Sequence, residues 1–328
     1  MDRIRFDLFL NRKDQVWKII LISGMTMAFI LFFIGGPKTN SSRSYQEAWN
    51  LGHVLFFFVG SNILLRKWKT LSQFSWKKQV LWIVGLTLFF GISIEWTQMK
   101  FNRTAGVDDV KKDLIGSLIA LSFSPAGINV RPRGLLQTFK LVVLLWLSFE
   151  VLPFAKALTD EAYAWKQFPV LSNFETPLEM DRWWGNSRRT IDHEIVFEGT
   201  SSMKVHLNTA KYSGVQLGYF SGNWNQASFL HFSIYNPSQH PLKIECNLRD
   251  DVHAQNGSPY EDRFNTSLTL FQGWNHFNIP IEKIANAPKN RRMNLQKMKR
   301  LSLFAVKLPE GKTIYIDDVR LVLSRNQQ

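Results

Sequence analysis

The pattern of apolar and polar positions changes character once, near residue 160. Before that point, long apolar runs alternate with short basic segments. After it, no apolar run is longer than a strand, and apolar residues recur at every second position. A helix needs roughly 20 residues to cross the hydrocarbon of a bilayer, with a range of about 17–25. Five stretches meet or approach that length: 19–36, 51–65, 80–98, 113–130 and 141–158. The second is short, the fourth is interrupted by Pro125 and Gly127, and the fifth contains Glu150 and Pro153. The pattern predicts five membrane helices within residues 1–158, with partial insertion the alternative for the second and fourth. Basic residues ahead of the first run also suit a signal peptide. That run is long, however, no small-x-small cleavage site follows it, and more spans come after, so an uncleaved first helix is expected.

From about Ser172 the alternation is that of strands. Eight short runs recur: 202–207, 214–219, 229–235, 242–248, 264–270, 274–279, 300–306 and 313–323. Turn signals such as Asn236-Pro237-Ser238 and Asn256-Gly257-Ser258-Pro259 separate them. This predicts a β-sandwich over residues 172–328, joined by a linker at 159–171. The expected fold class is thus multidomain: an all-α transmembrane bundle of about five helices followed by an all-β jelly-roll sandwich.

Charge refines this picture. The 328 residues carry a formal net charge of +14. Such a balance can signal nucleic acid, but the basic residues sit in short segments between apolar runs, which is the positive-inside pattern. No nucleic-acid partner is expected; membrane lipids are. The N-terminal segment and the loops after the second and fourth spans hold thirteen Lys and Arg residues, against six in the alternate loops. The N-terminus should therefore be cytoplasmic, and five crossings would send residues 159–328 outside. The one cysteine, Cys246, excludes an intramolecular disulfide and alternates with polar neighbours as a buried strand residue would.

Polar residues gather at one end of these spans. His53 opens the second; Glu95 and Gln98 close the third; Arg103, Asp109 and Asp113 follow at the head of the fourth. Ionisable groups at a bilayer margin are costly unless they face water or one another, so they default to a functional-site hypothesis. Glu95 and Gln98 share a helix face. Asp109, Asp113, Gly116 and Ala120 share another, whose small residues would let a second helix approach. Each residue also has an ordinary role. Asp109 and Asp113 can favour a helix N-terminus by about 0.3–1 kcal/mol, His53 and Arg103 can meet headgroups, and Glu95 can pair with Arg103. Convergence of all six at one depth favours a shared function.

In the second half, alternation leaves Glu245, Asn247 and Arg249 opposite the apolar side of one strand, and Arg263, Asn265 and Ser267 opposite that of another. With Asp250, Tyr260 and Asp262 near the rim, the candidate ligand-binding set is Arg249, Asp250, Tyr260, Asp262, Arg263 and Asn265. Trp183, Trp184, Tyr212, Tyr219 and Trp224 are further aromatic candidates, since ligand sites combine apolar platforms with a few polar groups.

The ordered set His53, Glu95-x-x-Gln98, Arg103 and Asp109-x-x-x-Asp113-x-x-Gly116 resembles the VanZ-like family of small membrane proteins over roughly residues 15–130. The family usually has asparagine where this chain has Asp113, which adds a carboxylate. The resemblance implies a bundle of four or five helices in a bacterial cytoplasmic membrane and an association with resistance to teicoplanin-type glycopeptide antibiotics. Residues 172–323 resemble jelly-roll carbohydrate-binding modules of the galactose-binding-like type. The matching pieces are Asn173-Phe174-Glu175, Glu198-Gly199-Thr200-Ser201-Ser202-Met203-Lys204-Val205, Gly273-Trp274-Asn275 and Ile316-Asp317-Asp318-Val319. That resemblance implies a structural Ca²⁺ held by Glu175, a backbone oxygen near Ser201, and Asp317 or Asp318.

Together these readings lead to the expectation of a membrane protein that recognises or handles a cell-envelope glycan, or its lipid-linked precursor, at the outer face of the membrane. No strong nucleophile motif, phosphate-binding glycine loop or Cys/His metal cluster is visible in the sequence, so catalysis is not the leading expectation. Two alternatives stand: an enzyme using His53, Glu95 and Asp109 on a lipid-linked substrate, and a scaffold whose sandwich binds a protein.

Overall fold

The computed structural model describes residues 16, 19–20, 22–33, 36–37, 41–100, 106–123, 133–220 and 223–324. The chain divides into two units, Met1–Ala157 and Leu158–Gln328. In the first, α1 spans Ile22–Leu31. It is followed by α2 (Arg43–Lys67), the short α3 (Lys69–Gln73), α4 (Trp76–Lys100), α5 (Val107–Phe123) and α6 (Arg133–Gln167), which runs on into the second unit. Helices α2 and α4, and the stretch Gly134–Gln167 of α6, are long and apolar enough to cross a membrane.

Helix boundaries depart from the apolar runs for a simple reason. Hydropathy registers only the part of a helix that is apolar, whereas backbone hydrogen bonding continues through polar turns. Helix α2 begins two turns before the expected 51–65 segment, where the Ser42 hydroxyl accepts the Tyr45 N–H at 3.3 Å and caps it. Its 25 residues make it about 37 Å long, so it is not the short span the sequence suggested. Helix α5 starts at Val107 rather than 113 and ends at Phe123; residues 124–130 of that expected span lie outside the described residues. Helix α6 has 35 residues, takes in Pro153, and occupies most of the expected linker at 159–171. The rest of that linker holds β1 (Val170–Ser172).

Helix α5 is the centre of this unit. A Cβ added at Gly116 would lie 2.2 Å from the carbonyl oxygen of Val54, so the α2 and α5 backbones touch there. The hydroxyls of Ser61 and Thr87 reach Ser117 at 2.9 and 2.7 Å, linking α2, α4 and α5 without leaving a buried hydroxyl unpaired. Ala120, Leu121, Ile83, Leu65 and Leu71 pack below. Large apolar residues such as Leu55, Leu81, Phe89, Leu141 and Phe149 face outward.

In the second unit, one sheet has the order β3 (Arg188–Asp192), β4 (Ser202–Leu207), β11 (Lys312–Leu323), β6 (Ala227–Asn236), β9 (Gly273–Pro280), with β1 also pairing β11. The other runs β2 (Trp183–Gly185), β5 (Tyr212–Leu217), β10 (Met298–Val306), β7 (Leu242–Asp250), β8 (Phe264–Leu270). All pairings are antiparallel. Short helices α7 (Asp251–Gln255) and α8 (Ile281–Ala285) decorate the edges. Apolar side chains from both sheets, among them Met203, Phe232, Ile244, Leu248, Leu301 and Ile316, fill the space between, and Cys246 is buried with them. The eight strands expected from alternation are present. The short β1, β2 and β3 carry too few residues to show a period.

The end of α6 belongs to this sandwich. Arg182 is fully buried, and its Nε donates to the Asp160 carboxylate oxygens at 2.9 and 3.1 Å. Its Nη1 donates to the Leu171 carbonyl at 2.9 Å. Next to it, Glu179 accepts the Asn173 and Phe174 N–H groups at 2.8 and 3.0 Å, and Ser172 accepts from Trp183 at 3.0 Å. A cut inside α6 at residue 165 would leave the Arg182 guanidinium buried without its counter-charge.

Two outcomes follow from this packing. Asp160→Ala should lower the stability of the sandwich by about 3–5 kcal/mol, while Asp160→Ala with Arg182→Met should regain a large part; denaturant unfolding followed by tryptophan fluorescence measures both. Gly116→Ala should cost about 1–3 kcal/mol in the helical unit, read as a lower melting temperature in detergent, and an unchanged melting temperature would refute close backbone contact at that seam.

Candidate functional site

Strand pairing assembles a polar row on the outward side of the second sheet. Trp184 pairs with Gln216, Gln216 with Ser302, Ser302 with Asn247, and Asn247 with Asn265. Directly opposed residues of antiparallel strands face the same side, so the row crosses all five strands. Its sequence neighbours Val215, Leu217, Leu301, Leu303, Cys246 and Leu248 point into the core. One step along, Arg249 pairs with Arg300.

This face holds a cavity of about 580 Å³, lined by Asn186, Tyr212, Gln216, Asn247, Arg249, Arg263, Ser302 and Phe304. Four buried atoms there have no hydrogen-bond partner among the described residues: Gln216 Oε1, Asn247 Oδ1, Ser302 Oγ and Arg249 Nε. Buried polar groups are ordinarily paired, so the four mark a surface made to meet something polar. Its positive charge is equally unbalanced. Among the described residues, no carboxylate lies within ion-pair distance of Arg249, Arg263 or Arg300. Burial, reinforced by the charges of Arg300 and Arg263, pulls Arg249 down to about 10. Burial likewise holds Arg263 and Arg300 below the usual guanidinium range. The Arg300 guanidinium lies 5.0 Å from the Trp184 ring centre, and that of Arg263 lies 5.1 Å from the Tyr260 ring centre.

Of the residues singled out from the sequence, Arg249 and Arg263 line the cavity, Asn265 ends the polar row and accepts from Arg263 Nε at 2.9 Å, and Tyr260 underlies Arg263. Asp250 and Asp262 do not line the cavity. Both turn to Arg291, whose Nη1 donates to Asp250 at 2.6 Å and Nη2 to Asp262 at 2.9 Å. Asp250 also caps α7 through the His253 N–H at 3.1 Å. Their charge is spent on fixing the rim. Gln216, Ser302 and Arg300 were missed, although the alternation in 298–306 already separates Arg300 and Ser302 from Leu301 and Leu303. What was lacking was the knowledge that these strands are neighbours. Trp183 and Trp224 are core residues; Trp184 stays on the face, with Tyr219 against it at 5.5 Å.

Two of the residues expected to hold calcium, Glu175 and Asp317, clamp a loop. Glu175 accepts the Thr200 and Ser201 N–H groups at 2.8 and 3.1 Å and the Thr200 hydroxyl at 2.8 Å. Asp317 accepts the N–H groups of Phe197, Glu198 and Asp318 at 2.9, 3.1 and 2.7 Å. Burial still pushes Asp317 up to about 6 against these bonds. Each carboxylate thus accepts three hydrogen bonds, which fix the turn over residues 197–201.

The polar set of the helical unit converges. Helix α2 supplies His53, α4 supplies Glu95, and α5 supplies Asp109 and Asp113. His53 Nδ1 lies 2.8 Å from Asp113 Oδ1, and its Nε2 lies 3.9 Å from Asp109 Oδ2. Lys112 reaches Asp109 Oδ1 at 3.1 Å, and the Gly106 N–H donates to Glu95 Oε2 at 2.7 Å. Gln98 turns away and donates to the Phe32 carbonyl at 2.9 Å, tying α4 to the end of α1. Arg103 lies outside the described residues.

Comparison with known proteins bears on the second unit. None of the curated proteins matches the chain. Among solved structures, the family 11 carbohydrate-binding module from Clostridium thermocellum, in complex with a β-1,3-1,4-mixed-linked tetrasaccharide, is 17% identical, with 47% of this chain and 95% of that one covered and a TM-score of 0.36. The family 30 carbohydrate-binding module of the cellulosomal cellulase Cel9D-Cel44B of the same organism is 14% identical, covering 44% and 93%, with a TM-score of 0.37. An exo-β-agarase is 17% identical, covering 48% of this chain but 25% of its own, with a TM-score of 0.39. The family model described as carbohydrate binding domain 30 matches residues 160–322, from the Asp160 that pairs with Arg182 to the last core strand.

Proposed function

We propose that this protein is a glycan receptor held at a bilayer surface by its helical unit, and that the outward face of the second sheet binds the glycan. The observation that carries this reading is a row of polar atoms in a cavity beside three arginines, on a domain matching a carbohydrate-binding family; among the described residues, the atoms lack hydrogen-bond partners and the arginines lack acidic ones. Hydroxyl-rich ligands satisfy such atoms; Trp184 and Tyr212 supply apolar surface for sugar rings. Uncompensated guanidinium groups favour anions and bind carboxylate or phosphate bidentately. The preferred ligand is accordingly an acidic glycan, bearing uronate or phosphate, of the kind found in cell envelopes and lipid-linked precursors.

The helices support the placement. Three are long and apolar enough to cross a membrane, and the thirteen-to-six bias of basic residues supports a cytoplasmic N-terminus. With five crossings the sandwich stands outside the cell, where envelope glycans are. The convergence of His53, Glu95, Asp109 and Asp113 supports the VanZ-like reading of this unit, in which the polar cluster sits at the same membrane face as the receptor.

The full chain in detergent micelles, applied to an array of neutral and acidic glycans, should bind uronate- or phosphate-bearing members and lose them in 0.5 M NaCl. Arg249→Gln should weaken that binding by at least about tenfold, or about 1.4 kcal/mol, with the melting temperature retained. Binding confined to neutral glycans, or untouched by Arg249→Gln, would remove the basis for this site.

A further inference from the structure

We propose that His53, Glu95 and Asp109 bind one divalent transition-metal cation, Zn²⁺ in the first instance, in the seam between α2, α4 and α5. This inference is independent of the glycan reading. One ligand atom from each residue lies within 4.8 Å of the other two. Zinc bonds of about 2.0–2.2 Å set tetrahedral donors roughly 3.4 Å apart, so modest side-chain rotations close the site. One imidazole nitrogen with two carboxylate oxygens suits zinc or its first-row neighbours; calcium and magnesium require larger, all-oxygen shells.

Three further observations point to a cation. First, His53 is oriented as a ligand. Its Nδ1 is 2.8 Å from Asp113 Oδ1, which fixes the proton there and leaves Nε2 as the lone-pair nitrogen facing Asp109. A carboxylate behind a histidine is the usual support for a metal-bound imidazole. Secondly, Glu95 is 6% exposed, and its Oε1 has no hydrogen-bond partner among the described residues, while its Oε2 is held by the Gly106 N–H. The acid is thus anchored by one oxygen and has the other free. Thirdly, the charges do not balance. Glu95, Asp109 and Asp113 meet one imidazole, and among the described residues only Lys112 pairs with any of the three acids. Sequestered carboxylates without counter-charge are costly, and a divalent cation supplies the deficit. Asp109 is the most exposed member, its side chain 24% accessible, and so offers an entry path. Three protein ligands leave a fourth position for water or a ligand oxygen.

The test uses the full chain in detergent, stripped with chelator and titrated with Zn²⁺ under calorimetry, with bound metal counted by elemental analysis. One Zn²⁺ per chain should bind. His53→Gln and Glu95→Gln should each lower its affinity at least a hundredfold, and Asp113→Asn about 10–100-fold, as loss of an outer-shell partner does. Cobalt substitution should give a visible d–d absorption that His53→Gln abolishes. This readout, with the melting temperature of the sandwich as a folding control, separates loss of a ligand from loss of structure. The histidines of the sandwich, His231 and His276, are the competing place for zinc, their rings 6.4 Å apart; His276→Ala should leave the stoichiometry unchanged. No bound metal, or one whose affinity survives both His53→Gln and Glu95→Gln, overturns the proposal.

Discussion

The cost of leaving a polar group without a partner, away from water, organises both halves of this protein. Breaking a hydrogen-bonded arrangement around a buried polar atom costs about 1–3 kcal/mol, more for a charge. In the helical unit, hydroxyls of Ser61, Thr87 and Ser117 meet where α2, α4 and α5 touch, and Gln98 crosses to the Phe32 carbonyl. In the sandwich, Arg182 is matched by Asp160 and the Leu171 carbonyl, Arg291 by Asp250 and Asp262, and Glu175 and Asp317 by backbone N–H groups. These satisfied groups hold loops and helix ends in place.

Against that background the unsatisfied groups stand out. Among the described residues, two groups of them share a surface: the outward face of the second sheet, with Gln216, Asn247, Ser302 and Arg249, and the helix seam, with Glu95 and Asp113; others, on Gln167, Asn173 and Arg189 among them, lie apart. The sheet face offers amide, hydroxyl and guanidinium groups, and the seam offers carboxylates. The two proposed sites are therefore opposite in charge and call for different ligands.

The boundary between the units is chemical as well as geometric. Helix α6 begins among apolar residues and ends by lending Asp160 to the core of the sandwich. The match to the carbohydrate-binding family starts at that residue. A linker was expected there because residues 159–171 lack both the long apolar run of a span and the alternation of a strand. A helix whose last turns are polar has neither signal.

Local pattern by itself determined the division into helices and strands, because the length of an apolar run and a period of 2 are written in consecutive residues. It also marked Arg249, Arg263 and Asn265 as outward-facing, and the clustering of His53, Glu95, Asp109 and Asp113 near the ends of apolar runs. Which strands are neighbours is a property of residues far apart in the chain, and only the tertiary structure decided it. That is why Gln216, Ser302 and Arg300 joined the polar face unannounced, and why the pairing of Asp250 and Asp262 with Arg291, an arginine about 30 to 40 residues away, was not legible in the sequence. The same holds in the seam, where Gly116 meets the Val54 backbone and His53, Glu95 and Asp109 come together from three helices. Spacing along one helix reports a shared face, but what that face meets depends on how closely the backbones can approach.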